Sequence, residues 1–320
     1  MKPTPNIGEF EGASAEPDRE FQGALRSRRR DRLGNVLLAL THGDHPTAAL
    51  RQCWTLAQSL DAELHVLQVL PPERPFRPTV ADLDLVQTTR RVARCLAAAR
   101  ATRLWCDDVL PESLSPQRLR IRIGTFIQDA AWRAAEVDAG LIVLAPSTGR
   151  LGTTATELAH AASCPVLVAR TSVPETTLLA ATDLEDEGYW VLRKAVELGT
   201  RLKALVVAVH NVNCLSAAFN LELAPAVDGT RNKPEVSETR ALRLVRATEK
   251  LGASMQTVLS TEIDTVDAIL DQAQVHAAHM IVVGTRRRLA LGRWLARSVA
   301  AEVVNRSDRS VLVTPFKRDG

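Results

Sequence analysis

The stretch VVGTRRRLALGRWLARSVAAEVVNRSDRSVLVTP, residues Val282–Pro315, decides the fold of the second half of the chain. It starts inside one apolar run, MIVVG (Met280–Gly284), and finishes on another, SVLVTP (Ser310–Pro315). Short, continuous apolar runs are typical of strands buried in a parallel sheet. Between the two runs, residues Ser298–Asn305 predict a helix. The stretch therefore predicts a strand, a long loop, a helix and a second strand.

The residues before this stretch alternate in the same way. Predicted strands lie at Thr176–Thr182, Ala204–Val212 and Ser254–Leu259, and predicted helices at Gly188–Leu202, Val236–Leu251 and Thr265–Ala277. Ligands bind beyond the carboxyl ends of the strands in sheets of this kind, at the point where the strand order reverses. The residues that follow the first, second and fourth strands are therefore the candidates for a site.

The first half of the chain repeats this order. Its predicted strands are Asn35–Leu40, Glu63–Leu70, Arg103–Leu110, Gly140–Ala145 and Pro165–Arg170, and its predicted helices are Thr47–Leu60, Val80–Ala101, Ile123–Val137 and Thr154–Ala162. Thr154, with Glu157 three residues later, predicts a capping box at the start of the last helix. Matching landmarks of the two halves, such as Thr41 with Asp183 and Thr153 with Ser298, lie 142 to 145 residues apart. A repeat of this length indicates a duplicated domain.

Alternating strands and helices predict an α/β fold, because right-handed crossovers place helices on both faces of a parallel sheet. We expect two tandem, doubly wound, Rossmann-like sheets of five parallel strands each. The linker, Thr171–Glu175, is short, so we expect the halves to pack as an intramolecular pseudo-dimer. The predicted organisation is a flexible leader at 1–33, a first domain at 34–172 and a second domain at 173–320.

Composition narrows the functional class. The 320 residues include 40 Lys and Arg against 37 Asp and Glu, a balance that argues against a dedicated nucleic-acid-binding protein. No apolar run reaches the ~18 residues of a membrane helix, and the N-terminal residues lack the apolar core of a secretory signal. The five cysteines form no CxxC pair, which favours free thiols. We therefore expect a cytoplasmic protein, in which the basic run Ala24–Arg32 is a solvated leader or touches nucleic acid or anionic lipid.

The loop after Gly284 has the properties of an anion site. Backbone N–H groups hold phosphates in such loops, and glycine lets the backbone come close. Here the loop is rich in arginine, at Arg286, Arg287, Arg288, Arg293 and Arg297. The arginines either form an adapted anion site with their guanidinium groups, or belong to a degenerate loop that fills the pocket or binds an acidic partner. Ser298 contacts a ligand or caps the last helix, and Asp183 binds a ligand, caps the next helix or is solvated.

These residues resemble the universal stress protein family, whose nucleotide-binding members carry Gly-x2-Gly-x9-Gly-Ser/Thr at this place. Gly284 matches the first position and Ser298 the last, whereas Arg287 and Arg297 occupy the second and third glycine positions. Asp183, within AATDLEDEG (Ala180–Gly188), stands where the family has the carboxylate that meets the adenosine end of the nucleotide. The resemblance covers roughly residues 34 to 316.

The first half departs from the family pattern. Thr41 stands in place of the aspartate, Ala145 stands in place of the first glycine, and the loop is six residues shorter than in the second half. Gly149 and Gly152 could equally serve a tight turn. We therefore expect the first half to be a structural partner or a regulatory surface.

The resemblance implies a stress-response regulator or sensor whose second half binds ATP or a related adenine nucleotide, with Mg²⁺ possible alongside it. Asp183 and the backbone near Val212 would hold the adenosine end. The phosphates would be surrounded by Gly284, Thr285, Arg287, Arg297, Ser298 and Val299.

Other functions are less well supported by the residues. The alternative to nucleotide binding is an interaction module whose arginine-rich loop contacts an acidic protein, and a homodimer is possible in either case. The dispersed His65, His210, His276 and His279 indicate packed or solvated side chains rather than a metal site. No nucleophile stands with a base, so the sequence predicts a protein that is not an enzyme, although slow ATP hydrolysis stays open.

Overall fold

The computed structural model describes residues 34–72, 83–146, 151–170, 176–185, 189–212, 233–252, 255–286 and 298–316. The first half contains the elements β1 (Asn35–Leu40), α1 (Thr47–Ser59), β2 (Leu64–Leu70), α2 (Leu83–Val109), β3 (Leu119–Ile123), α3 (Phe126–Glu136), β4 (Ala139–Leu144), α4 (Leu151–Ala162) and β5 (Val166–Val168). The second half contains β6 (Thr177–Ala181), α5 (Trp190–Leu202), β7 (Leu205–Asn211), α6 (Lys233–Lys250), β8 (Gln256–Ser260), α7 (Thr265–Val275), β9 (Met280–Thr285), α8 (Val299–Arg306) and β10 (Ser310–Pro315).

All ten described strands belong to one sheet, in the order β3-β2-β1-β4-β5-β10-β9-β6-β7-β8. Within each half, the five strands pair in parallel, as in Leu38 with Val66 and Ala180 with Ala208. The halves meet where β5 pairs antiparallel with β10, which places Leu167 opposite Leu312. The predicted doubly wound arrangement of five parallel strands is therefore confirmed in each half, and the pseudo-dimer joins the two sets of strands edge to edge into one sheet.

Two hydrophobic clusters, one on each face of the sheet, hold the helices against it. The first cluster contains buried residues of α1, α2, α5 and α6, and the second contains buried residues of α3, α4, α7 and α8. Both clusters include residues of the two halves, such as Leu38 with Leu312 in the first and Val168 with Val311 in the second. Removal of this apolar surface from water stabilises the two halves together.

Polar contacts reinforce the junction between the halves. Gln52 Nε2 lies 3.1 Å from the Ser310 hydroxyl, and Arg170 Nη2 donates to the Val304 carbonyl at 2.6 Å. The Gly152 N–H donates to Asn305 Oδ1 at 2.9 Å, so that α4 is linked to α8. A Cβ at Gly152 would stand 2.0 Å from the Ala301 carbonyl oxygen, which shows how closely these helices approach.

The predicted third strand of the first half is wrong. Residues Arg103–Val109 form the end of α2, Leu110 follows directly after it, and the third strand is β3 at Leu119–Ile123. Cys106 and Leu110 are buried one helical turn apart, which is the spacing of a helix face turned to the core. The strand itself, LRIRI, alternates apolar with basic residues because it forms an outer edge of the sheet.

The predicted start of the fourth helix is also wrong. Helix α4 begins at Leu151, so Thr154 lies inside it and no capping box forms there. Gly152 belongs to the first turn of this helix and packs against α8, and it is therefore not part of a tight turn. Gly149 lies outside the described residues.

Candidate functional site

A cavity of about 450 Å³ lies at the carboxyl ends of the second-half strands. It opens where β6 is flanked by β7 on one side and β9 on the other, which is the reversal point of the strand order. Among the predicted site residues, those that line it are Asp183, Val212, Gly284, Thr285 and Val299. Residues separated by more than a hundred positions in the sequence therefore border one cavity.

Asp183 follows β6 and is exposed at the cavity. Its Oδ1 accepts a hydrogen bond from the Glu185 N–H at 3.1 Å, which orders the turn after the strand. Arg286 Nη2 lies 3.1 Å from both carboxylate oxygens of Asp183, and Arg286 Nη1 donates to Glu185 Oε2 at 2.8 Å. The first arginine of the loop is thus held by two carboxylates of its own domain.

Gly284 and Thr285 are the last two residues of β9, and both line the cavity. A Cβ at Gly284 would lie 2.7 Å from Val191 Cγ2, so a larger residue there would press into the cavity wall. Thr285 is buried, and its hydroxyl lies 3.2 Å from His160 Nε2, in the first half. Its carbonyl accepts from the Phe316 N–H at 3.0 Å. Thr285 therefore lines the cavity, and its hydroxyl contacts the other half of the molecule.

The amino end of α8 faces the same cavity. Ser298 is the N-cap of this helix, and its hydroxyl oxygen accepts from the Ala301 N–H at 3.3 Å. This is the capping role that the sequence left open for Ser298. Val299, the first helical residue, lines the cavity. An uncapped N–H group and the positive end of the helix dipole favour an anion at such a place.

Val212 closes the opposite side of the cavity. Its side chain is buried, and its N–H donates to the Ser260 carbonyl at 2.8 Å. That N–H is therefore engaged between β7 and the end of β8.

The remaining predicted contacts, Arg287 and Arg297, lie outside the described residues, as do Arg288 and Arg293. The alternative prediction, in which the arginine-rich loop fills the pocket or binds an acidic partner, depends on these same residues and stays a prediction.

Sequence reasoning missed several residues that border the cavity, namely Glu185, Trp190, His210, Arg240, Arg286 as a partner of Asp183, and Phe316. His210 carried the best signal, because it lies near the carboxyl end of the second strand. Its Nδ1 stands 2.8 Å from the Thr182 carbonyl, and burial lowers the pKa of its imidazole. Arg240 reaches the cavity from α6, whose packing no local pattern predicts.

The corresponding positions in the first half are engaged differently. Gln68 stands in the second strand of the first half, where His210 stands in the second half. Its Oε1 accepts a hydrogen bond from the buried Thr102 hydroxyl at 2.8 Å. Thr41, which stands in place of Asp183, donates its hydroxyl proton to Asp44. A side chain of helix α2 is thus the hydrogen-bond partner of the Gln68 amide oxygen.

Two further observations concern the described part of the chain. No helix in it is both long enough and apolar enough to span a membrane. Within the same residues, His, Cys, Asp and Glu side chains do not come together in threes as a metal-binding group. Cys53, Cys95, Cys106 and Cys164 form no disulfide within the described residues, and Cys214 lies outside them.

A family model and similar solved structures point to the same protein family. The sequence profile of the universal stress protein family matches residues 33–170 and 176–315. A protein of unknown function from Pseudomonas aeruginosa PAO1 is 18% identical over 91% of this chain and 94% of its own, with a TM-score of 0.55. A universal stress protein from Archaeoglobus fulgidus DSM 4304 is 13% identical over 90% of this chain and 99% of its own, with a TM-score of 0.54.

A universal stress protein from Archaeoglobus fulgidus in complex with dAMP is similar to one half only. It is 22% identical over 45% of this chain and 100% of its own, with a TM-score of 0.31. No curated protein sequence matches the chain significantly.

Proposed function

The chain belongs to the universal stress protein family, and we propose that its second half binds an adenine nucleotide such as ATP as part of a stress-response regulator or sensor. The cavity beside Asp183, Gly284 and Val299 carries this proposal. Its volume of about 450 Å³ falls in the range of small-molecule sites. A dAMP complex is known for one Archaeoglobus fulgidus member of the family.

The adenosine end of the ligand would lie between Asp183 and Val212. A carboxylate accepts hydrogen bonds from vicinal hydroxyl groups, so Asp183 suits a ribose. The side chains of Trp190 and Val212 supply apolar surface for a base. In this arrangement, the ribose hydroxyls replace Arg286 as partners of the Asp183 carboxylate.

The phosphates would lie between Gly284 and the amino end of α8. Gly284 lines the cavity and has no side chain to cover its backbone, and Ser298 and Val299 lie at the positive end of the α8 dipole. Arg287 and Arg297 are proposed to add guanidinium contacts, in place of the glycines of the family motif. A Mg²⁺ ion would enter as a counter-ion of the phosphates.

The first half serves as a structural and regulatory partner in this proposal. His160 of α4 lies within hydrogen-bond distance of the hydroxyl of Thr285, which also lines the cavity. A ligand that repositions Thr285 would therefore also act on α4, and a two-state shift between the halves gives the regulatory output. The proposed role is binding and signalling, without chemical turnover.

Calorimetric titration of the full chain with ATP, ADP and AMP tests the proposal. Asp183→Asn keeps an acceptor for the Glu185 N–H but removes the charge, so the affinity for ATP should fall about 10-fold or more. Thr41→Asn, at the matching position of the first half, should leave the affinity unchanged. The absence of measurable binding by the unmodified protein, or equal binding by Asp183→Asn, would overturn the proposal.

A further inference from the structure

His210 stands in the cavity with a fixed arrangement of its two ring nitrogens. It belongs to β7, is 6% exposed and lines the cavity. Its Nδ1 lies 2.8 Å from the Thr182 carbonyl oxygen. A carbonyl oxygen only accepts, so Nδ1 carries the hydrogen. In the neutral ring, Nε2 is then a hydrogen-bond acceptor.

The surroundings of His210 keep the ring neutral. Burial is the largest influence and lowers the pKa of the imidazole, and the positive charge of Arg240 on α6 lowers it further. The hydrogen bond to Thr182 and the carboxylates of Asp183 and Glu185 act in the opposite direction. The net effect is a pKa below the usual value of 6.5, so the acceptor at Nε2 is present at neutral pH.

The position of His210 relates it to the base of a bound nucleotide. Its partner Thr182 immediately precedes Asp183, and Val212 follows two residues after His210 in the chain. His210 and the two residues that are proposed to hold the adenosine end therefore line one cavity. Trp190 and Arg240 border the same part of the molecule.

We propose that His210 determines which base the site takes, because its Nε2 accepts a hydrogen bond from an amino group on the base. This inference rests on the proposed function. Adenine presents an exocyclic amino group, whereas hypoxanthine and guanine present a carbonyl oxygen at the same position. Two acceptors would then face each other unpaired, and a buried group without a partner is costly. A site built around such a hydrogen bond discriminates strongly against the analogue that lacks it.

The test compares ligands that differ only at this position of the purine. The full-length protein is titrated calorimetrically with ATP, with ITP and with purine riboside triphosphate, which has neither amine nor carbonyl there. We expect ATP to bind at least about 10-fold more tightly than either analogue, since one buried hydrogen bond separates them.

A variant isolates the role of Nε2. His210→Asn places an amide N–H near the position of Nδ1, so the bond to Thr182 can persist, but the shorter side chain has no acceptor at the position of Nε2. The preference for ATP over purine riboside triphosphate should disappear in this variant. His42→Asn, an exposed histidine of the first half, is the matched control and should keep the preference.

Each result decides the inference. A preference for ATP that is lost in His210→Asn and kept in His42→Asn supports it. Equal binding of ATP and ITP by the unmodified protein overturns it while leaving the proposed function intact, and so does a preference that survives in His210→Asn. Failure of all three nucleotides to bind overturns the proposed function and this inference with it.

Discussion

At the scale of single residues, Arg286 pairs with Asp183 and Glu185 at the cavity. The guanidinium holds both carboxylates and lies 5.7 Å from the centre of the Phe316 ring. All three charged groups are partly exposed, and such ion pairs contribute little, typically up to about 1 kcal/mol. If the cavity binds a nucleotide as proposed, Arg286 would compete with the ribose for Asp183, and its displacement would cost little.

Replacement of this arginine should strengthen the binding of adenosine. In Arg286→Ala, the Asp183 carboxylate no longer has to exchange a guanidinium for the ribose hydroxyls, so we expect the affinity for adenosine to rise roughly fivefold. Adenosine is the right probe because it carries no phosphate that the lost positive charge could have attracted. Calorimetric titration provides the measurement.

Arg306→Ala is the control for this change, because Arg306 is a similarly exposed arginine of the same domain that pairs with Asp267 and Glu302. It should leave adenosine binding unaltered. Weaker adenosine binding in Arg286→Ala would show that Arg286 is a ligand contact and not a competitor.

The sequence predicted only part of this site for a physical reason. Asp183 follows a strand, Gly284 lies at the end of a strand and Val299 begins a helix, and their positions are set by local patterns that the repeat makes visible. The contact between Asp183 and Arg286 joins residues 103 positions apart, and Arg240 arrives on a helix that packs from the side. Such contacts depend on tertiary packing, which periodicity does not encode.

At the scale of elements, the close approach of α4 to α8 joins the two halves. The Gly152 backbone lies against the Ala301 carbonyl, and the Gly152 N–H is bonded to Asn305. The atom in the way of any side chain at residue 152 belongs to the backbone of a helix, which cannot rotate aside as a flexible side chain would. The absence of a Cβ is therefore required by the packing of these helices.

Gly152→Ala should destabilise the protein in spite of the higher helix propensity of alanine. Forcing the helices apart in a packed junction should lower the free energy of unfolding by about 1–3 kcal/mol. Chemical denaturation followed by circular dichroism measures this quantity. Thr153→Ala, at the adjacent exposed position, should change the stability by less than about 0.5 kcal/mol. A Gly152→Ala variant as stable as the unmodified protein would contradict this account of the junction.

Sequence patterns gave the element order with one failure that is instructive. The apolar residues in Arg103–Leu110 suggested a strand, yet Trp105 and Cys106 pack against the core from a helix. The true strand, β3, carries Arg120 and Arg122 and lacks a continuous apolar run, because it has a neighbour on one side only. Edge strands resemble loops in composition, and a prediction that relies on buried strands overlooks them.

At the scale of the whole molecule, the continuous sheet makes the two halves share strand pairing and a hydrophobic core. Strand β10 lies between β5 of the first half and β9 of the second, and its Leu312 is buried in the cluster that also contains Leu38. Separation of the halves would therefore expose apolar surface on both. A change of charge inside either half should consequently affect the stability of the whole.

His65 in β2 is a buried group whose protonation would make such a change of charge. Neither ring nitrogen has a hydrogen-bond partner among the described residues, although Glu63 Oε2 lies 3.5 Å from Nε2. Burial lowers the pKa of the imidazole, and the charge of the buried Arg133 lowers it further, whereas Glu63 raises it. The folded protein therefore takes up a proton on His65 less readily than the unfolded chain does.

This difference predicts a loss of stability in mild acid. Between the usual histidine pKa of 6.5 and the lower value in the folded state, the unfolded chain binds more protons, so the free energy of unfolding decreases as the pH falls. The stabilisation is fully present above 6.5, and the slope per histidine cannot exceed about 1.4 kcal/mol per pH unit. Urea denaturation of the full chain at a series of pH values from 7.5 downward measures it.

His65→Leu separates this effect from that of the other titrating groups. Leucine cannot ionise, so the decrease in stability toward low pH should become shallower than in the unmodified protein. His42→Leu removes an exposed histidine of the same half and should leave the slope as it was. Equal slopes in the unmodified protein and in His65→Leu would mean that the buried imidazole is not protonated on unfolding, and the burial of His65 would then carry no penalty that the rest of the sheet must offset.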